Sequence, residues 1–212
     1  MRQLKLISVL IGLTSLLACE PAVTFTTPQP DGVKNLSEFP GRLQGHYVST
    51  KDSSTLSISA QLIQRVYDFD HKIDTAKLGS NARLLGDTLF DLATGHRTLL
   101  WRAGDSLMAH VHYIDTLFQM TPDNVVRKFK GYYFLNQRYG DLGWEVTKIK
   151  LSKGELVVSN LSAEQDVAQL KEITETSLDT VPPYKFVATK RQFGKFVRNK
   201  GFSDGEVFIR QK

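Results

Sequence analysis

The feature that most constrains this chain is a period-two alternation. The side chains of Ile63, Tyr67, Phe69 and Ile73 fall on one side of a long extended stretch, and Gln64, Asp68, Asp70 and Lys72 on the other. A helix would scatter the same residues around its circumference. Leu56 and Ile58 alternate in the same way with Thr55, Ser57 and Ser59. Turn signals then recur at Gly86-Asp87, Ala93-Thr94-Gly95 and Gly104-Asp105, and a Gly-first pair suits a type II′ hairpin. Leu89-Phe90, Leu99-Leu100-Trp101 and Met108 to Leu117 lie between these turns. Residues 43–121 therefore read as an antiparallel meander.

Asn35-Leu36-Ser37-Glu38-Phe39 reads as one helical turn, capped by Asn35 and stopped by Pro40. Thr121-Pro122 opens a second short helix, with proline at its first position. A second β region follows. Tyr132 to Tyr139, Trp144 to Leu151 and Glu155 to Asn160 read as strands, with turns near 141–143 and at Lys153-Gly154. Ser162-Ala163-Glu164-Gln165 is a capping box opening a helix whose inner face is Val167, Leu170 and Ile173. Tyr184 to Ala188 is a strand. Thr189-Lys190-Arg191-Gln192 is another capping box; its helix buries Phe193, Phe196 and Val197 and stops at Gly201. Glu206 to Arg210 closes the chain as a strand. The predicted class is a β-dominated α+β fold, an antiparallel meander forming a barrel or packed sheets, with two short helices in the C-terminal half. Gly45-His46-Tyr47-Val48 also echoes Gly131-Tyr132-Tyr133-Phe134, which raises the prospect of two related halves, 35–120 and 121–212.

The start of the chain has a different character. Arg2 and Lys5 precede an apolar run from Leu6 to Ala18, broken by Ser8, Thr14 and Ser15. The run fits a signal-peptide core and falls short of the ~20 apolar residues that span a bilayer. Leu16-Leu17-Ala18-Cys19 resembles the lipobox of bacterial lipoproteins, with Leu17 bulkier than is usual at its position. The resemblance implies cleavage after residue 18 and fatty acylation, palmitate included, of Cys19. It further implies a cell-envelope protein anchored through that residue, and Glu20 after the cysteine points to the outer membrane. One acyl chain gives only reversible attachment, whereas two or three make it effectively permanent. The expected organisation is a signal peptide over 1–18, a lipidated cysteine with a flexible Pro/Thr tether over 19–34, and a β-rich domain over 35–212.

Cys19 is the only cysteine, so no intrachain disulfide and no cysteine metal cluster is open to the domain, and packing alone must hold it. The chain carries 27 Lys and Arg against 22 Asp and Glu; without Arg2 and Lys5 that becomes 25 against 22, or +3. Such a balance does not suggest a nucleic-acid binder.

Four groups of residues bear on function. His110 and His112 lie two apart on a predicted strand, so both imidazoles share a face and are open to Zn²⁺ or Cu²⁺, although a site needs a third ligand. The alternative is an ordinary solvated strand face. Asp68 and Asp70 are the nearest approach to paired carboxylates. Tyr132, Tyr133, Phe134, Tyr139 and Trp144 suit either a sugar or lipid pocket or a core, and Phe69, Phe90, Trp101 and Phe118 share that ambiguity. The stretch 185–212 is basic, and Arg191, Lys195 and Arg198 form one helical stripe suited to an anionic surface or, equally, to solvent.

No nucleophile elbow, P-loop, dinucleotide fingerprint or H-E-x-x-H is present, and no cofactor is implied. The leading expectation is a non-enzymatic lipoprotein, attached to the membrane through Cys19, that binds or scaffolds an envelope protein partner. A one-turn helix before Gly45-x-Tyr47 is similar to the opening of lipocalin-type barrels, which carry Gly-x-Trp; that resemblance implies a carrier of a small apolar ligand. A hydrolase acting on envelope polymers is the third expectation.

Overall fold

A computed structural model describes residues 21–161, 164–174 and 182–211. In chain order the elements are β1 (Val23–Phe25), β2 (Gly45–Ser49), β3 (Thr55–Ile58), β4 (Leu62–Ile73), β5 (Ala82–Leu85), β6 (Thr88–Asp91), β7 (Arg97–Ala103) and β8 (Ser106–Gln119). They continue with β9 (Asn124–Phe129), β10 (Tyr132–Tyr139), β11 (Gly143–Ser152), β12 (Glu155–Asn160), α1 (Glu164–Thr174), β13 (Tyr184–Phe186), α2 (Lys190–Arg198) and β14 (Asp204–Arg210). One antiparallel run, β9-β10-β11-β12-β14-β2-β3-β4-β8-β7-β6-β5, holds most of the strands. β1 lies against the start of β11 and pairs in parallel with β13. The class is β-dominated α+β, and among the described residues the sheet does not close into a barrel.

Alternation along β10 and β11 divides the body of the molecule into two cores. Phe134 and Val146 point to the helix-covered face, where they meet Val23, Phe25, Leu170, Phe186, Phe193, Phe196 and Phe202. The rings interlock: Phe193 lies 5.0 Å from Phe134 and 5.8 Å from Phe25, both edge-on. Such pairs add about 0.5–1.5 kcal/mol beyond their burial. Tyr133, Leu135 and Ile149 point to the opposite, inner face and fill it together with Phe39, Tyr47, Leu56, Ile63, Leu156 and Phe208. The predicted capping box of α2 is formed, with Thr189 accepting from the Gln192 amide. α2 ends before Gly201, at Arg198: Asn199 is its C-cap and Lys200 takes the left-handed conformation, while Gly201 allows a close approach, since a Cβ there would lie 2.3 Å from the Phe196 ring.

Beyond this body, the outer halves of β4 and β8 run out together and carry β7, β6 and β5 beside them. Gly86 and Gly104 take positive φ in the two-residue turns read from sequence. This arm is a single layer: between residues 64 and 117 only Leu100 and Ala109 are buried hydrophobic residues.

Several expectations are corrected. Residues 21–34 are not a free tether. Val23, Thr24 and Phe25 are buried in β1, and Gln29 is stapled to Asn136, which accepts the Gln29 amide and donates to its carbonyl at 2.9 Å. Arg127 donates to the carbonyls of Pro28 and Pro30. A strand of three residues, paired with a segment some 160 positions later, leaves too little local signal to outweigh the nearby prolines.

Asn35 to Phe39 makes no helical turn, because its backbone is used elsewhere: Leu36 donates to Val126 at 2.8 Å and Phe39 to Ala60 at 2.7 Å. Thr121-Pro122 starts a tight turn closed by reciprocal Thr121–Asn124 backbone bonds, not a helix. The segments 35–120 and 121–212 share one sheet through the β14–β2 pairing, and both helices lie in the second. Tyr47 and Tyr133, the two echoing residues, enter the same inner core.

Candidate functional site

Three places on the body and arm carry chemistry. The first is a recess of about 570 Å³ at the open end of the inner face. Below it the interior is filled by Leu56, Ile63, Ile149 and Phe208; around it stand Gln137, Tyr139, Glu145, Thr147, Asn160 and Glu206. Glu145 faces inward beside Gln137 in the β10–β11 register. Burial pushes its carboxyl above the usual range, and a hydrogen bond with Tyr139 offsets part of that rise. On the far wall Arg65 is a hub. Its guanidinium donates to Glu206 at 2.6 and 2.9 Å, to Asp52 at 3.0 Å and to Ser54 Oγ at 2.7 Å. Partial burial would raise the Asp52 carboxyl, but hydrogen bonds from Ser54, Arg65 and Ser49 outweigh it and hold it at about 2.

The second place is the arm. β4 and β8 set Asp68 opposite His112 and Asp70 opposite His110. His112 Nδ1 lies 3.2 Å from Asp68, His110 Nδ1 lies 3.1 Å from Asp70, and His110 Nε2 reaches Asp68 at 3.4 Å. The two histidines expected to share a face do so, and the two aspartates face them across the strand pair. All four are well exposed, so the ladder is a set of solvated His–Asp pairs. Among the described residues no group of three or more His, Cys, Asp or Glu is placed to hold a metal ion. Leu99, Trp101 and Ile114 lie exposed on the same side as this ladder, and Phe69 and Tyr113 are exposed on the other.

The third place is the helix-covered side. Arg191, Lys195 and Arg198 are all exposed on α2, as their spacing predicts. A recess of about 960 Å³ runs beside that helix, between α1, α2 and the outer sheet face. Lys148 lines it and donates to the Gly201 carbonyl at 2.9 Å. Burial, with repulsion from Lys150, lowers its pKa, partly offset by the Asp166 carboxylate.

Among the aromatic residues that sequence left ambiguous, Tyr133, Phe134 and Phe118 are core, Tyr139 lines the inner recess, and Phe69 and Trp101 are exposed. Sequence reading did not single out Arg65, Glu145 or Lys148. Lys148 and Lys150 carried a legible signal, since residues two apart on a strand share a face. Arg65 carried none, because Glu206 is distant in sequence, and Glu145 carried none, because its burial is set by how the sheet packs. Cys19, the lipobox and the Ser162 capping position lie outside the described residues. Among the described residues no helix is long and apolar enough to cross a membrane. No family model, curated protein or solved structure matches this chain.

Proposed function

We propose that this chain is a cell-envelope lipoprotein, held at the membrane through acylated Cys19, whose arm docks a protein partner and which performs no catalysis of its own. The observation that carries the reading is the arm: a sheet one layer thick, with apolar side chains bare on both faces. Sheets ordinarily bury at least one face against another layer. Leu99, at 71% exposure, and Trp101, at 39%, stand beside a His–Asp ladder whose polar groups are paired with one another. That mixture of apolar centre and satisfied polar groups suits a protein interface.

The position of β1 shortens the leash. Val23 is four positions after Cys19, a reach of about 13–14 Å at full extension. The body then sits at the membrane surface instead of standing clear of it. α2 packs on β1 through Phe193 and Phe25, so Arg191, Lys195 and Arg198 lie on the anchored side, where an anionic surface would attract them. The carrier reading fits less well, because aromatic and aliphatic side chains fill the inner face and polar groups rim what remains.

Two measurements test the proposal. Cys19→Ala should release the protein from membranes, and unchanged association would refute the anchor. A photo-crosslinking residue at Leu99, introduced in the native cells, should give one discrete adduct that Trp101→Lys abolishes, while the same probe at Lys153 gives none. Equal labelling at both positions would defeat the arm as a docking surface, and an adduct of twice the chain mass would replace the foreign partner by a second copy.

A further inference from the structure

The recess beside α2 has a charge pattern that the fold itself does not require. Lys130 enters it from the β9–β10 turn, Lys148 and Lys150 from β11, Arg198 from the end of α2, and Lys200 from the segment after it. One carboxylate, Asp166, faces these five cations. Its oxygens are committed to the Phe202 amide at 3.0 Å and to the Ser203 amide and hydroxyl at 3.0 and 3.1 Å, where they fix the turn after α2. No salt bridge reaches Lys130, Lys150, Arg198 or Lys200 among the described residues.

Lys148 is anchored deeper. Its ammonium sits 5.0 Å from the Phe202 ring centre and 5.7 Å from that of Tyr132, partly stripped of water. Cations crowded into a concave, partly dehydrated space repel one another, and solvent screens them less there than on an open helix face. Three separate segments of the chain converge to produce that crowding, which a solvated helix stripe would not need.

We propose that this recess is a binding site for a phosphate-bearing ligand. A phosphate offers a compact multiple negative charge and several acceptor oxygens. Arg198 matches it with its guanidinium fork and the lysines with mobile point charges. The volume of about 960 Å³ leaves room for more than a bare phosphate, so a phosphorylated headgroup fits as well as a free polyanion. The site rests on the basic side of the molecule and not on the anchor: loss of the Cys19 acyl chains would leave it intact.

The test uses the full chain in nonionic detergent and isothermal titration with three soluble probes: inorganic pyrophosphate, dihexanoyl phosphatidic acid below its micelle concentration, and dihexanoyl phosphatidylcholine. Saturable binding of either phosphate monoester or pyrophosphate, absent for the zwitterionic lipid and weakening as salt rises, is expected. Pairing Lys150→Glu with Arg198→Glu, both exposed, should weaken it about tenfold or more, a loss of about 1.4 kcal/mol per decade. Lys72→Glu, a single charge reversal on the arm, should leave it unchanged. Tighter binding of phosphatidic acid assigns the site to a lipid headgroup, and tighter binding of pyrophosphate to a soluble phosphate. No saturable binding of either, or full affinity in the paired variant, overturns the proposal. So does an equal loss in Lys72→Glu, which would mark a general charge effect.

Discussion

The body and the arm are parts of one continuous sheet, yet they are stabilised differently. In the body, β10 and β11 are covered on both faces. Phe134 and Val146 meet the helices, while Tyr133, Leu135 and Ile149 meet the inner core. In the arm, the same antiparallel pairing and the same alternation leave only Leu100 and Ala109 buried. Backbone pairing alone therefore does not make a core. A strand contributes strongly to stability only where a second layer takes its side chains out of water, at ~25 cal/mol per Å² of apolar surface.

The largest test of that contrast is Phe193→Ala. The side chain is fully buried among the rings of Phe25, Phe134, Phe196 and Phe202, so its loss should cost about 3–5 kcal/mol in denaturant unfolding. A cost below 1 kcal/mol would mean the helix layer is not what holds the body.

Arg65 stands where the arm leaves the body, and Arg65→Met should come next, at about 1–3 kcal/mol, because Glu206 and Ser54 lose a donor they are built around. The same hub sets an acid limit. Asp52 has a folded pKa of about 2 against 3.8 for the free group. Its contribution is therefore whole above about pH 4 and is lost as pH falls toward 2. Arg65→Met should flatten the pH dependence of unfolding in that window.

Glu145 works in the opposite sense. Its carboxyl is raised in the folded chain, so folding is favoured with the group protonated and penalised as pH climbs through the raised value. Glu145→Gln should raise the melting temperature at pH 8 and leave it unchanged at pH 3; a gain at both would contradict the burial argument. Thr24→Val in β1 removes a fully buried hydroxyl that has no hydrogen-bond partner among the described residues, and a stabilisation of up to about 1 kcal/mol is expected. Smallest of all, Leu99→Ala on the arm should shift stability by less than about 0.5 kcal/mol. Amides of β5 and β6 should exchange with deuterium well before those of β10 and β11. Slow exchange throughout the arm in the isolated protein would show that it has a layer of its own and would weaken the case for a partner.

The contrast also explains which parts of the fold were legible in the sequence. The alternation of Ile63, Tyr67, Phe69 and Ile73 reads as one long strand, found as β4, because it is a local property, the same in body and arm. The Gly86-Asp87 and Gly104-Asp105 turns, the Thr189 capping box and the inner face of α1 are local in the same way. β1 went unread because its three residues are strand only through partners near residues 144 and 185. Gly143 was legible as a turn residue, but its second role was not: a Cβ there would come within 2.4 Å of the Phe25 carbonyl, so β1 could not lie against β11.

The candidate sites divide along the same line. That His110 and His112 share a face follows from their spacing; that Asp70 and Asp68 stand opposite them follows only from the β4–β8 register. The stripe of Arg191, Lys195 and Arg198 is a property of one helix. The convergence of Lys130, Lys148, Lys150, Arg198 and Lys200 on one recess belongs to the assembled molecule. Sequence by itself determined what each segment does along its own axis: strand, turn, cap and apolar face, whose periods are set by a few neighbouring dihedrals. The tertiary structure alone decided which faces are covered, which charges are crowded and which sheet is left bare, because burial and field depend on distances between residues that the chain order does not encode.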